Sequence, residues 1–315
     1  NPSTAGEVGA ARRGAAPRRS FNMRAPEPTL LVPVAASSLA LALAFIPARA
    51  EAFSGFLKEP RSGYVKLSFD HLQSSDLYST SGERLAVSQE FTQNNLSLYA
   101  EVGVFDALTV GVSGPLLRLN SFATSEVAAG LGDLQLFLKT GLEWAGFHGA
   151  LIGAVEFPTG QDELNVETDF DGVRTNLPTG DGETNFWIRA AISRSFSMTS
   201  WLHSYASVHG GVNLRTAFSH QIAVGGELGL SPKGWFWLQV SLEALFTPTP
   251  VEELNPAGIF LFGEGTEYVA FGLSLSVPIP GTPISITGDY RNTFANLRNL
   301  YAGSTFGGGL SVAWD

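Results

Sequence analysis

The chain has 315 residues, of which 44% are hydrophobic and 15% charged, with no cysteine and a formal net charge of −10. Residues 1–50 carry six of the 19 Lys+Arg and two of the 29 Asp+Glu, so the remainder holds 13 against 27 and is the more acidic part. That balance excludes nucleic acid as a partner, and the lack of cysteine excludes a disulfide framework or an acylated-cysteine anchor.

The first predicted element is an apolar run over residues 30–36 and 39–46, with Arg18, Arg19 and Arg24 before it and Ala48-Arg49-Ala50 after it. A cationic flank, a short apolar stretch and a small-x-small site make a secretory signal peptide, with cleavage expected before Glu51 and Met23 as a candidate start. A retained membrane helix is the alternative, weakened by Pro33, Ser37 and Ser38 in a run near the minimum spanning length. Residues 1–50 are therefore expected to be an upstream segment and signal. Residues 51–315, with no Pro- or Ser-rich linker, are expected to form one domain.

From Arg61 onward the chain repeats a unit of about ten residues alternating apolar and polar. The first strand is predicted over residues 64–70, with Val65, Leu67 and Phe69 on one face and Lys66, Ser68 and Asp70 on the other. The second covers 95–104, the third 108–117 after the reversal Phe105-Asp106-Ala107, and the fourth 131–142. In the fourth, Leu134, Leu136, Leu138 and Leu142 alternate with Asp133, Gln135, Phe137 and Lys139, the clearest two-residue period in the chain. The fifth strand takes 147–157, and a long acidic loop follows over 158–184. Strands six to nine take 185–196, 201–214, 220–230 and 235–246, and strands ten to twelve 268–277, 284–291 and 307–314.

The links after strands two, four, six, eight and ten are short; those after one, three, five, nine and eleven are long and carry most of the acidic residues, and only the link after strand seven breaks the alternation. Short turns at one rim, long loops at the other and an even strand number predict an all-β fold. The expected architecture is a transmembrane antiparallel β-barrel of about 12 strands, up-and-down, in the outer membrane of a Gram-negative bacterium. Trp144, Trp201, Trp235 and Trp314 fall at the short-turn end, with Tyr64 beside them and Tyr268 and Tyr290 near the other rim, as an aromatic girdle at the headgroups requires. A soluble antiparallel sandwich also alternates but supplies no reason for aromatics at every second turn. The final strand closes on Trp314-Asp315 and resembles the terminal signal read by barrel-assembly machinery, here with the aromatic penultimate. Outer-membrane lipid and that machinery during insertion are the expected partners.

With the apolar face toward lipid, the charges turned inward are Lys66, Asp70, Glu101, Asp133, Lys139, Glu143, His148, Glu156, Arg189, Glu227, Glu243, Asp289 and Arg291, joined by the aromatics Tyr99, Phe137, Trp187 and Trp237 as lumen-lining candidates. Inward charges either pair as a structural network or tune selectivity, here against anions. Lys66 beside Glu101 on adjacent strands is the expected ion pair. Five histidines and many serines allow a Ser–His pairing almost anywhere, which carries little specificity, so no catalytic residue is assigned and no enzyme is expected. His203 and His209 lie about 20 Å apart if extended, so no metal and no cofactor is expected. Asp162, Glu163, Glu167, Asp169 and Asp171 have the composition of a weak calcium loop but read better as a solvated face.

Several segments carry a family resemblance: Gly63-Tyr64-Val65-Lys66-Leu67 followed by Ser79-Thr80-Ser81-Gly82-Glu83-Arg84; Gly130-Leu131-Gly132-Asp133-Leu134; Phe157-Pro158-Thr159-Gly160; and Leu177 through Thr184. They resemble the outer-membrane family known for the meta-pathway of phenol degradation, distantly akin to transporters of hydrophobic compounds. That resemblance implies passive movement of small apolar or aromatic solutes. Two other classes stay open: a lumen-plugged structural or adhesive barrel, and an outer-membrane lipid hydrolase.

Overall fold

The computed structural model describes residues 54–168, 174–249 and 264–315. The expected signal and its cleavage point, and Asp169 and Asp171 of the acidic loop, lie outside the described residues.

Twelve antiparallel strands form the wall: β1 (Gly63–Tyr78), β2 (Arg84–Phe105), β3 (Leu108–Phe122), β4 (Leu134–Trp144), β5 (Phe147–Phe157), β6 (Asn185–Thr199), β7 (Leu202–Arg215), β8 (Gln221–Pro232), β9 (Trp237–Phe246), β10 (Glu267–Pro278), β11 (Ile284–Arg298) and β12 (Ser304–Trp314). Each pairs with the next, and β1 closes on β12 through ten pairs from Gly63↔Trp314 to Leu72↔Thr305. Closure satisfies every ladder and leaves no open edge, which is what permits a sheet to sit in hydrocarbon. All twelve strands expected from the alternation are present.

Outward positions form an apolar belt. Leu136, Leu138 and Leu142 of β4, Leu151 of β5, Ile192 of β6 and Leu310 of β12 are each more than half exposed, while Gln135, Phe137 and Lys139 between the leucines are buried. An exposed leucine row beside a buried lysine inverts the soluble pattern and fits lipid outside and polar contacts within. Trp144, Trp201, Trp235 and Trp314 are exposed beside the short turns. Tyr64 and Tyr268 are a correction to the expected girdle: both point inward, because each shares the parity of buried neighbours, Glu101 opposite Tyr64 and Ala270 two residues from Tyr268.

Short turns close one rim, as at Ala145-Gly146, whose φ angles of 51° and 76° suit a two-residue hairpin turn. At the other rim the long polar link expected after the first strand is mostly sheet. β1 and β2 pair up to Tyr78↔Arg84, and Leu300–Ala302 joins the outer end of β1. Beyond the membrane a hairpin has water on its outer face, so it needs no apolar period, and 71–94 therefore reads as loop from sequence alone.

The acidic loop is also only partly solvated. Asp162, Glu163 and Glu167 are exposed, but Val166 and Leu177 are buried with Phe91, Ala128 and Tyr301 in an apolar cap at the outer rim. A small hairpin, Asn165–Glu167 with Arg174–Asn176, sits in this loop. At the opposite end, residues 54–62 run within the short-turn end of the barrel before β1 begins, with Pro60 bridging to Gly103.

Candidate functional site

The lumen is built by inward residues in three tiers. Nearest the short turns, Glu101 of β2 lies 3.3 Å from both Lys139 of β4 and Lys58 of the entering segment. Removing either lysine would leave a buried carboxylate undercompensated, so the trio acts as a unit.

The middle tier is apolar and aromatic. Phe137, Ile152, Ala154, Trp187, Ala191, Ala223 and Leu245 bury one another, with Tyr99 and Tyr268 packed against them. Tyr64, Tyr99 and Phe137 form a ring series with centroid separations of 6.0 and 5.9 Å, the second pair nearly parallel at 18°. Arg189 lies 3.8 Å above the Trp187 ring, a cation–π contact that shields one aromatic face. Trp237 stands 5.8 Å from Tyr205.

The outer tier holds two cavities. One, of about 490 Å³, is lined among others by Asp70, Tyr268, Asp289 and Arg291. Lys66 donates to Asp289 at 2.9 Å and Ser274 donates to its other oxygen at 2.7 Å. Arg291 pairs with Glu243 at 3.2 Å and also stacks over Tyr268. The expected Lys66–Glu101 pair is therefore corrected. Across β1 and β2, Lys66 faces Tyr99 while Glu101 faces Tyr64. On the other side, β12 offers glycine at 307 and 309, so β1 and β11 side chains meet across it. A Cβ on Gly307 would overlap the Asp70 carboxylate.

The second cavity, of about 400 Å³, is lined by Asp133, Gln135, Glu156, Asp181 and Asn185 with Arg118, Arg189 and Arg215. Asp133 accepts the amides of Gly160 and Asp181 at 2.9 and 2.8 Å and so anchors the acidic loop. Asn185 donates to Glu156 at 3.0 Å and to Asp181 at 2.8 Å, and Arg215 pairs with Asp181 and Glu183. Asp133, Glu156 and Asp181 bring carboxylate oxygens within 4.8 Å of one another, the spacing of a metal site. Amide and guanidinium donors already occupy those carboxylates, so the arrangement serves as a loop anchor. Burial raises the Asp181 pKa above the ordinary carboxylate value, outweighing the donors from Asn185, Glu183 and Arg215 that favour its charged form.

Of the lumen candidates, Lys66, Asp70, Tyr99, Glu101, Asp133, Phe137, Lys139, Glu156, Trp187, Arg189, Glu227, Trp237, Glu243, Asp289 and Arg291 take part in these tiers; Glu227 accepts a hydrogen bond from Gln239 at 2.6 Å. Glu143 does not. It has inward parity but is exposed beside the 145–146 turn, opposite His148, where the wall ends. Sequence reasoning missed Lys58, Arg118 and Arg215. Arg118 turns inward because the β2–β3 register slips between Leu96 and Ser97, adding one residue to β3 and inverting its faces. The signal for it was Gly114-Pro115, where Gly114 has φ +145° and Pro115 offers no N–H to the ladder.

No protein-family model matches the chain, and no curated protein matches it. Among solved structures, an outer membrane channel from Pseudomonas putida F1 is similar over 84% of this chain and 100% of its own, at 12% identity and a TM-score of 0.56. That similarity shows the fold. The KdgM porin aligns more loosely, over 80% of this chain and 99% of its own at 6% identity and a TM-score of 0.42. The NanC porin does so over 78% and 98% at 8% identity, with a TM-score of 0.45.

Proposed function

We propose that this chain is a channel in a Gram-negative outer membrane that passes small, largely apolar or aromatic solutes by passive diffusion. The observation that carries this reading is the inward ring series Tyr64, Tyr99 and Phe137, continued by Trp187 in the same apolar tier. Flat rings along a closed wall give a neutral aromatic solute surfaces on which to stack. Most of the charges above and below them are already held by ion pairs or hydrogen-bond donors, so these need not bind the solute. The P. putida protein of the same architecture is itself described as an outer membrane channel. The segment resemblance to the phenol meta-pathway family points to the same solute class.

A second reading, a lumen-filled structural barrel, is favoured by one observation: Phe137, Ile152 and Trp187 bury one another within the lumen. Liposome swelling with purified protein separates the two. Benzyl alcohol and phenol should enter faster than sugars of similar mass. Failure of every small solute to enter, in vesicles where the protein is folded, would leave the filled barrel as the better account.

A further inference from the structure

Gly307 of β12 is the register partner of Asp70 on β1 and of Asp289 on β11. Two inward carboxylates are therefore separated by a residue with no side chain, and a Cβ there would overlap the Asp70 carboxylate. Like charges so placed repel unless a cation is supplied to each. Asp289 has one. Lys66 donates to it at 2.9 Å, and Ser274 donates to its other oxygen at 2.7 Å.

Asp70 has no such partner. Its neighbour on β2 is Asn95, whose amide nitrogen donates to Gln93 and whose amide oxygen accepts from Arg118 at 3.0 Å, so Asn95 has its own partners. Its neighbour on β12 is the glycine. Arg291, also on the cavity wall, pairs with Glu243 at 3.2 Å and lies over the Tyr268 ring. Lys66 attracts Asp70 through space but is bound to Asp289. Asp70 and Asp289 are the two carboxylates lining this cavity, and among the described residues only Asp289 holds an ion pair or accepts a hydrogen bond.

The cavity, of about 490 Å³, is within the range of small-molecule sites. Further out along β1 its wall turns apolar, with Leu72, Leu300 and Tyr301, and Leu72 and Tyr301 belong to the outer cap. An occupant thus meets one uncompensated negative charge at one end and an apolar surface at the other. A hard divalent cation takes about six to eight oxygen ligands, whereas both Asp289 oxygens are already bound. A monovalent ammonium needs one carboxylate, and its carbon body suits the apolar end.

From this arrangement we infer that the larger outer cavity binds small organic cations, primary ammonium compounds with an apolar or aromatic body, with Asp70 as the counter-ion. Asp289 adds to the field, and Gly307 leaves room for the Asp70 carboxylate. The part this site plays in transport rests on the channel reading; the binding does not.

Benzylammonium, benzyl alcohol and benzoate share one ring and differ in the charge beside it. With the refolded full chain in nonionic maltoside at neutral pH, isothermal titration should give benzylammonium an affinity roughly tenfold or more above that of benzyl alcohol, the scale of one charge-assisted hydrogen bond. Benzoate should not bind. Asp70→Asn keeps the shape without the charge and should bring benzylammonium down to the level of benzyl alcohol. Gly307→Ala, which pushes the carboxylate aside, should weaken it too. Each variant is read only if its unboiled sample keeps the gel migration of a closed barrel, and the three-probe comparison needs no variant. Equal affinity of the parent protein for benzylammonium and benzyl alcohol overturns the proposal, as does unchanged benzylammonium binding in folded Asp70→Asn. Displacement by calcium chloride but not by sodium chloride of the same ionic strength would make this an inorganic-cation site and overturn it as well. Benzylammonium binding that Asp70→Asn abolishes, without any solute current in planar bilayers, would uphold the site and remove the channel reading.

Discussion

Lys139 Nζ lies 3.3 Å from Glu101 Oε2 with neither side chain exposing any surface, a buried ion pair inside a barrel whose outer wall is leucine. Taking one partner from such a pair costs about 3–5 kcal/mol, because the other charge stays buried. Lys58 also holds Glu101, so Lys139→Met should fall at the low end, about 3 kcal/mol. The double change Glu101→Met with Lys139→Met should cost less than the two single changes summed. Urea unfolding from vesicles, followed by tryptophan fluorescence, measures both, and strictly additive costs would show that the pair is not coupled.

The ten-pair seam between β1 and β12 closes the sheet at Gly63↔Trp314. Without an edge, detergent has no strand from which to begin unravelling the wall. Unboiled refolded protein should run faster than boiled protein in SDS gels. Pro replacement at Leu67, in the middle of that seam, removes an N–H from the ladder and should lower the temperature at which the fast band is lost. Identical migration of boiled and unboiled samples would count heavily against a closed barrel.

Leu136 and Gln135 are neighbours in sequence on opposite faces of β4, one just over half exposed and the other buried against Glu156. Leu136→Arg places a charge in the lipid belt and should cost about 2–4 kcal/mol in folding into bilayers. Gln135→Arg, which gains Glu156 as a partner, should cost less. Equal costs would mean the faces are assigned the wrong way round.

That contrast also marks how much was legible beforehand. Where lipid lies on one side, a strand must repeat every two residues, so Leu134 to Leu142 declares both its existence and its faces. Arg118 does not, because a single extra residue in β3 inverts the parity and nothing in a local window counts residues on the partner strand. Lys58 was unreadable for another reason: its role is set by Glu101 and Thr109, which are brought to it only by barrel closure. The Asp133, Glu156 and Asp181 grouping likewise joins positions separated by 23 and 25 residues, with no spacing rule to announce it.

Asp181 links the acidic loop to the outer lumen, and burial raises its pKa. A raised carboxyl pKa means that the docked loop prefers the protonated form. The stabilisation is complete below the ordinary value of 3.8 and is lost as pH rises through the raised one. The loop should therefore be held more firmly in acid. A nitroxide on Gln161→Cys, an exposed position whose backbone bonds to Thr179, should lose mobility between about pH 7 and about pH 4. Asp181→Asn, which fixes the neutral form, should give the less mobile spectrum at both. Greater mobility in acid would reverse the sign of this coupling.

Transport selectivity is the remaining test, and the inward charges set its direction. Asp70, Glu101, Asp133, Glu156, Asp181, Glu183, Glu227, Glu243 and Asp289 face Lys58, Lys66, Arg118, Lys139, Arg189, Arg215 and Arg291, so the acidic excess is small and most members are paired. Asp70, on the larger outer cavity, tips the local field toward cations. Neutral aromatics should permeate faster than benzoate-like anions of the same size, because both must pass the same buried rings while the field opposes the anion alone. Glu227→Gln with Glu243→Gln removes two carboxylates from adjacent strands and releases Arg291 from its 3.2 Å partner. The neutral-over-anion ratio should then fall, and salt should narrow the parent's ratio in the same direction. Planar-bilayer currents and vesicle swelling read both, and a ratio unmoved by the double change would place the solute path away from β8 and β9.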